Sequence, residues 1–257
     1  MSTVLAHSGQ MTLRSLRALA RQPWYVAVTL VQPVIWLLLF GALFDRVTSI
    51  PGFTSDDYIE FLTPGVVILT ALFSAGWSGM GIITDIDRGV MDRFLVSPVR
   101  RSALIIGRSA YQALLTVVQS LIILGLGWVA GARWDNPAGT LVVLGAAVLL
   151  AASFAALSDA LALVLRREES VIAAVQFVVL PLSFASATFM QLDLAPGWIQ
   201  AVARFNPVDW AVQSGRMALT AGADWGAIWP RAGALVVLTV ACAAVATRAF
   251  NAYTRSI

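Results

Sequence analysis

The chain has 257 residues, of which 59% are hydrophobic and only 12% are charged, and its formal net charge is +3. A soluble domain usually has about half of its residues apolar and about a quarter charged. The composition therefore excludes an ordinary soluble globular protein.

Long segments without any charge predict the membrane-spanning helices. Five such gaps, each of 23 or 24 residues, lie between Arg21 and Asp45, Glu60 and Asp85, Arg108 and Arg133, Asp135 and Asp159, and Glu169 and Asp193. About 20 apolar residues in a helix cross the hydrocarbon core, and a helix satisfies its own backbone polar groups there. The charge-free segment after Arg231 is shorter, and it can cross the membrane if the Arg231 side chain extends to the headgroups. The sequence predicts an all-α integral membrane protein with six transmembrane helices at residues 24–44, 61–83, 106–131, 138–163, 171–191 and 228–247.

The arginines predict the orientation of these spans. With the N-terminus inside, twelve arginines lie on the inner side and five on the outer side, namely Arg46, Arg133, Arg204, Arg216 and Arg231. Because short inner loops are enriched in basic residues, we expect both termini in the cytoplasm. The sequence is rich in Ala and contains no Lys, which is typical of a GC-rich bacterial genome and indicates a bacterial cell membrane.

Residues 11–22 precede the first span and predict a helix that lies in the membrane interface. Arg14, Arg17 and Arg21 fall on one face of this helix, and apolar residues lie beside or opposite them. A basic amphipathic helix next to a span is typical of an interfacial element. The alternative is a solvated tail that carries only the positive-inside signal.

The inner loop after the second span predicts a short cytoplasmic helix at residues 84–98. Thr84 is expected to cap it, Asp85 and Asp87 lie in its first turn, and Pro98 ends it. An apolar stripe of Val90, Met91, Phe94 and Leu95 runs along this helix. Exposed apolar side chains of this kind indicate a partner, either the bilayer surface or another protein.

The outer segment 191–222 is too polar for two more spans and too apolar for an ordinary loop. Asn206-Pro207 predicts a helix start, with Asn as the cap and Pro at the first helical position, and the helix is expected to run to about Leu219. A shorter helix with Trp198 and Phe205 on one face precedes it. We expect two short re-entrant helices in the outer leaflet; the alternative is a surface loop with interfacial anchors.

The sequence lacks several motifs for nucleotide binding, metal binding and catalysis, and their absence reduces the number of possible functions. A phosphate-binding loop of the G-x-x-x-x-G-K-[ST] type needs a Lys, so this chain is not expected to hydrolyse ATP in that way. One Cys and one distant His predict no metal site, and no catalytic set of side chains lies within the spans. Asp159 is the one acid well inside an apolar segment. Its expected role is a structural ion pair with Arg108, and a proton-carrying role is the alternative.

Three stretches together resemble the type-2 permeases of ATP-binding-cassette (ABC) exporters, in particular the daunorubicin-resistance-like drug and antibiotic exporters. These stretches are YIEFLTPG at Tyr58 to Gly65, the inner loop from Asp87 to Pro98, and Asn206-Pro207 followed by Arg216. The likeness covers the whole chain as a single transmembrane domain. Val90 departs from the family, which more often has Thr there.

The resemblance implies that the inner loop is a coupling helix that docks in a groove of a separate ATPase subunit. The implied contact residues are Asp85, Asp87, Arg88, Gly89, Met91, Asp92, Arg93, Phe94 and Leu95. It also implies two ATPase copies, a second permease that is identical or different, and the bilayer as surroundings. ATP and Mg would bind the partner, with no cofactor in this chain and no nucleic acid.

By the same resemblance, cargo would cross along the first, second and fifth spans. Aromatic and Met side chains there are the candidates to line its path, namely Trp36, Phe40, Phe73, Trp77, Phe177, Phe184 and Met190. The expected function is export of an amphipathic drug, antibiotic or lipid-like molecule. The alternatives are lipid or polysaccharide export, an ion-coupled transporter that relies on Asp159, and a membrane-embedded enzyme.

Overall fold

The structure, a computed structural model, describes residues 23–53, 55, 57–89 and 101–255. Within these ranges the chain is helical and contains no strand. The helices are α1 (Pro23–Leu43), α2 (Tyr58–Gly76), α3 (Ser78–Asp87), α4 (Arg101–Val129), α5 (Thr140–Leu165), α6 (Glu168–Phe184), α7 (Gly197–Ala203), α8 (Pro207–Leu219) and α9 (Trp225–Tyr253). The predicted interfacial helix at 11–22 lies outside the described residues.

Four stretches of this fold are long and apolar enough to cross a membrane. They are Tyr58–Asp87, Arg108–Val129, Pro137–Leu165 and Trp225–Tyr253. A shorter apolar stretch, Ala27–Leu43, occupies the first predicted span, and α6 occupies the fifth. A helix therefore stands at every predicted span, and the protein is an all-helical, multi-pass membrane protein in its described part. The count of six crossings stays a prediction.

The fifth span ends earlier than the sequence analysis expected. The prediction of a helix to residue 191 is wrong, because α6 has 17 residues and ends at Phe184. The Asn206 amide donates to the carbonyl oxygens of Leu182 and Ala185, at 2.7 and 2.8 Å. These bonds satisfy carbonyls that a continuing helix would use. Met190 therefore lies in non-helical chain.

The second span is broken at Trp77, which the sequence did not predict. The Ser158 hydroxyl of α5 donates to the carbonyl oxygen of Gly76 at 2.5 Å and accepts from the amide of Gly79 at 3.0 Å. One side chain thus satisfies a backbone group on each side of the break. A Cβ atom on Gly79 would lie 2.4 Å from the Ser158 carbonyl oxygen, so only glycine allows α3 to lie this close to α5.

Helix α5 runs through the centre of the bundle. It packs against α2, α3, α4, α8 and α9, and Ala146, Ala147, Ala151 and Ala155 are buried along it. Small residues let helix backbones approach closely where apolar lipid supplies no hydrophobic driving force. The core therefore depends on close backbone contact more than on large side chains.

The chain order places the loops at two ends of the bundle. The starts of α2, α5 and α9 lie at one end together with α7 and α8, and we call it the outer end after the predicted topology. The ends of α3, α5 and α9 lie at the other, inner end, where the Arg166 guanidinium stacks over the Tyr253 ring at 4.8 Å. Arg88, Arg108, Arg166, Arg167, Arg248 and Arg255 lie toward this inner end.

Candidate functional site

The described part of the predicted coupling segment is the end of α3. Thr84 does not cap a new helix, as the sequence analysis expected, because its hydroxyl donates to the Met80 carbonyl oxygen within α3 at 3.0 Å. Asp85 and Asp87 therefore lie in a last helical turn and not in a first one. Gly89 follows with φ of +62°, the left-handed conformation that commonly ends a helix and that glycine adopts without strain.

The predicted ATPase-contact residues divide into two groups. Asp87 and Arg88 are exposed at the end of α3, and Asp85 and Gly89 are partly buried. The remaining ones lie outside the described residues, namely Met91, Asp92, Arg93, Phe94 and Leu95. The predicted helix at 84–98 is wrong at its start, and its apolar stripe stays a prediction.

A cluster of polar side chains, which we call the inner bridge, joins α3 to α4 and α5. It consists of Ser78, Asp85, Arg108 and Asp159. Arg108 donates to the Ser78 carbonyl oxygen at 2.9 Å and to the Asp159 carboxylate at 3.4 Å, and it lies 3.5 Å from the Asp85 carboxylate. The Ser78 hydroxyl donates to the same Asp159 oxygen at 3.0 Å. The structure thus brings Asp159 together with Arg108 and ties both to the residue after the break.

The inner bridge is loosely held and accessible. The side chains of Arg108, Asp85 and Asp159 are 30%, 39% and 18% exposed. Ion pairs with this exposure are worth little, because water and salt screen them. Two carboxylates and one guanidinium give the inner bridge a formal charge of −1.

An aromatic cavity of about 130 Å³ lies between α1, α2 and α4. Trp36, Phe73 and Trp77 form its walls, and Gln119 lines it from α4. The Trp36 and Phe73 rings meet edge to face with centroids 5.8 Å apart. Gln119 is 1% exposed and donates to the Thr29 hydroxyl at 3.1 Å. Three of the seven predicted path residues therefore share one cavity.

Trp77 also borders a second cavity, of about 310 Å³, between α3 and α4. Ser78, Arg108, Tyr111 and Gln112 are among the residues that line it. The residue at the helix break thus faces the aromatic cavity on one side and a polar cavity next to the inner bridge on the other.

Phe189 lies at the centre of an aromatic cluster that the sequence did not predict. Its ring lies 5.8 Å from Trp36, 5.4 Å from Phe40 and 6.0 Å from Phe184. Phe189 follows the end of α6 in non-helical chain, so helical periodicity gave no signal for it.

The other predicted path residues do not line the aromatic cavity. Phe40 stacks on Trp36 with ring centroids 6.3 Å apart, and Phe184 contacts Phe189. Phe177 is 81% exposed, Phe184 is 67% exposed and Met190 is 38% exposed, so the described residues leave most of the two Phe side chains uncovered.

At the outer end, two of the stretches that carried the resemblance meet in one buried cluster, which we call the outer joint. Arg216 of α8 donates to the carbonyl oxygens of Ala187 and Phe61, at 3.0 Å each, and its guanidinium lies 3.5 Å from the centre of the Phe61 ring. The Tyr58 hydroxyl donates to the Phe189 carbonyl oxygen at 2.9 Å. The start of α2 is thus fixed to the segment between α6 and α8.

Asn206 and Asp209 complete the outer joint. The Asn206 side chain accepts from the Val208 amide at 2.9 Å and caps α8, while its amide group donates to the end of α6. Asp209 is 5% exposed and accepts from the Ala187 amide at 2.9 Å. The prediction that α8 begins at Asn206-Pro207 is confirmed.

Burial perturbs both charged groups of the outer joint. It raises the pKa of the Asp209 carboxyl, and the hydrogen bond from Ala187 and the nearby Arg216 oppose that rise. Burial lowers the pKa of Arg216 to about 9, against the opposing effect of Asp209. Arg216 therefore remains charged at neutral pH, and its contacts to carbonyl oxygens are charge-assisted.

Comparison with known proteins identifies a family. The sequence profile of the family described as ABC-2 type transporter matches residues 8–220. The chain is 30% identical over 206 residues to the daunorubicin resistance ABC transporter permease protein DrrB1 of Streptomyces coeruleorubidus, covering 79% of this chain and 71% of the relative. It is 28% identical over 196 residues to the transport permease ycf38 of Cyanophora paradoxa, with 76% and 68% covered. It is 25% identical over 206 residues to the doxorubicin resistance ABC transporter permease protein DrrC of Mycobacterium tuberculosis, with 80% and 74% covered.

Proposed function

The chain belongs to the ABC-2 type transporter family, and from this premise we propose that it is the membrane permease of an ATP-driven exporter. Permeases of this family associate with an ABC ATPase subunit and lack an ATPase site of their own. In the proposed assembly two ATPase copies bind two permeases in a bacterial cell membrane, with the termini of this chain in the cytoplasm and no cofactor bound to it.

The observation that carries this proposal is the position of Trp77. Helix α3 joins the segment predicted to contact the ATPase to the break at Trp77, and Trp77 is a wall of the aromatic cavity. The inner bridge ties the same helix to α4 and α5. A tilt of α3 would therefore change the shape of the cavity directly, because only one residue separates α3 from α2.

The proposed cargo is an amphipathic molecule with aromatic or other apolar groups. Trp36, Phe73 and Trp77 supply apolar walls, and Thr29, Gln32 and Gln119 supply a few polar groups among them. Binding sites for small molecules are typically apolar with a few placed polar groups, and at about 130 Å³ this cavity would hold one small apolar group of the cargo and not the whole molecule. The names of two relatives, which concern daunorubicin and doxorubicin resistance, support a drug-type cargo over a polysaccharide.

Docking of the ATPase is tested with a double substitution in the predicted apolar stripe. Met91→Asp with Leu95→Asp places two charges where the partner surface is expected to be apolar, so we expect loss of co-purification and of ATP-dependent transport. The matched control is Met91→Leu with Leu95→Met, which keeps both side chains apolar. Unchanged assembly and transport in the Asp variant, with a normal gel-filtration profile, would contradict the docking proposal.

The energy source is tested in proteoliposomes that contain both subunits. We expect efflux of a fluorescent amphipathic substrate to require ATP and to survive collapse of the proton gradient. Efflux driven by a proton gradient without ATP would instead support an ion-coupled transporter.

A further inference from the structure

An amphipathic groove, separate from the aromatic cavity, lies at the inner end between α3, α4, α5 and α9. Its volume is about 200 Å³. One end is polar and contains Ser78, Asp85, Arg108 and Asp159, which form the inner bridge. The walls beyond this end are apolar, and they include Ala152, Ala155, Ala156, Ala243, Ala246 and Phe250. We call this cavity the inner groove.

The carboxylates of the inner groove have unused hydrogen-bonding capacity. The Asp159 Oδ1 atom takes both contacts, from Ser78 and Arg108, and Oδ2 has no partner among the described residues. In the same part of the chain, Asp85 has one contact, at 3.5 Å through Oδ2. Each ionised carboxylate offers about four acceptor positions. Two acids with open positions in a partly water-excluded site favour a second cation.

Arg108 does not neutralise this site completely. Its shortest contact is to the Ser78 carbonyl oxygen at 2.9 Å, and its contacts to the carboxylates are longer, at 3.4 and 3.5 Å. The same contacts engage both terminal nitrogens of Arg108, and its Nε atom, which has no partner among the described residues, is buried and out of reach of a ligand in the groove. The formal charge of −1 therefore selects a positively charged ligand over a phosphate or carboxylate.

The apolar walls limit the size of the uncharged part of such a ligand. Ala152 and Asp159 are one heptad apart on α5, which corresponds to about 10 Å along a helix. A buried cavity of about 150 Å³ admits a benzene ring, so the inner groove has room for a compact aromatic or aliphatic group. The small Ala side chains on α5 and α9 create this space.

We propose that the inner groove is a binding site for cationic amphiphiles, in which the ammonium group contacts the acceptor positions of Asp85 and Asp159 that Arg108 leaves open and the apolar group lies between α5 and α9. A ligand there would contact Asp85, which is also the first residue of the segment predicted to meet the ATPase. The proposal goes beyond the proposed function, and its test measures binding without transport, so the two fail independently.

The test uses three photoreactive one-ring probes of similar shape in nanodiscs that contain the full chain. They are the cation 4-azidobenzylammonium, the neutral 4-azidobenzyl alcohol and the anion 4-azidobenzoate. We expect the cation to label peptides that contain Ala152 to Asp159 and Thr239 to Phe250 about fivefold more than the anion, because a partly exposed ion pair is worth up to about 1 kcal/mol.

Two variants locate the labelling. Asp85→Asn with Asp159→Asn changes the formal charge from −1 to +1 and should abolish the preference for the cation. Ala243→Leu fills the inner groove without altering the inner bridge, and its control is Ala241→Leu on the same helix, because Ala241 does not line the groove. Labelling should fall about tenfold in Ala243→Leu, the loss expected when a ligand-sized space is filled, and stay unchanged in Ala241→Leu. Equal labelling by all three probes, preference for the anion, or unchanged labelling in Ala243→Leu would overturn the proposal.

Discussion

The outer joint and the inner bridge each centre on an arginine, but they hold it in opposite ways. Arg216 bonds two backbone carbonyl oxygens at 3.0 Å and covers the Phe61 ring. Arg108 makes one short contact to a carbonyl oxygen and two long contacts to carboxylates, and its side chain is 30% exposed. The first arrangement fixes two segments of chain in one position. The second tolerates movement, because exposed ion pairs can lengthen at little cost.

This difference agrees with the roles that the two ends would have in a transporter. The outer joint fastens the start of α2 to the non-helical chain after α6, and so it forms a rigid support. The inner bridge lies beside the helix break at Trp77 and the segment predicted to meet the ATPase. We therefore expect substitutions in the outer joint to reduce stability and substitutions in the inner bridge to reduce coupling.

The largest expected effect is at Arg216. Arg216→Leu removes the hydrogen bonds from the guanidinium to the carbonyl oxygens of Ala187 and Phe61, and hydrogen bonds from charged groups are worth about 1.5–3 kcal/mol each. We expect the free energy of unfolding to fall by about 3 kcal/mol or more, as measured by chemical unfolding in mixed micelles. Arg204→Leu is the control, because Arg204 is exposed and should change stability by less than about 0.5 kcal/mol. Equal losses in both variants would contradict the rigid outer joint.

Substitutions at Asn206 separate the two roles of its side chain, which caps α8 and donates to the carbonyl oxygens at the end of α6. Asn206→Ser keeps a neutral acceptor that can cap α8 but removes the amide donor to Leu182 and Ala185, whereas Asn206→Ala removes both. We expect losses of about 1 and 2 kcal/mol respectively, since a cap is worth about 1 kcal/mol and a membrane hydrogen bond somewhat less. The same unfolding measurement applies. Identical losses in the two variants would show that the cap contributes nothing.

Gly79 tests whether the helix break is tightly packed even though the inner bridge is loose. Gly79→Ala would force α3 away from the Ser158 carbonyl oxygen, with an expected loss of about 1–3 kcal/mol, typical of overpacking. Gly125→Ala is the matched control, because a Cβ atom there meets no atom of the described residues within 4 Å. The control should stabilise α4 by up to about 1 kcal/mol through helix propensity. An unchanged free energy of unfolding in Gly79→Ala would show that the backbone of α3 can shift away from α5 at little cost.

The smallest expected change in stability is at Arg108. Arg108→Gln should lower the free energy of unfolding by no more than about 1 kcal/mol, because the ion pairs are partly exposed. We expect ATP hydrolysis by the assembly to continue while transport per ATP falls, which paired ATPase and efflux assays would measure. If Arg108→Gln greatly lowered the free energy of unfolding while transport per ATP stayed normal, the inner bridge would be a structural support. That result would contradict the difference drawn between the two ends.

The sequence predicted those features that depend on local chemistry. Charge-free segments predicted the positions of the long helices, because any charge in lipid is costly wherever the chain folds. Asn206-Pro207 predicted the start of α8, and its predicted end near Leu219 is also confirmed. Each of these signals lies within a few residues of the feature it predicts.

The features that the sequence did not predict depend on contacts between distant residues. The break at Trp77 exists because Ser158, some eighty positions away, bonds Gly76 and Gly79. The early end of α6 depends on Asn206, and the role of Arg216 depends on Phe61 and Ala187. The acidic residues after Thr84 predict a cap there, whereas α3 begins at Ser78 and already includes Thr84.

Trp77 has one further consequence, for the passage of water. Trp77 and Ser74 both line the aromatic cavity and the cavity that contains Arg108 and Tyr111. A different Trp77 rotamer would change the barrier between these two cavities. Entry of water into the aromatic cavity from the side of Arg108 would then depend on the orientation of this ring.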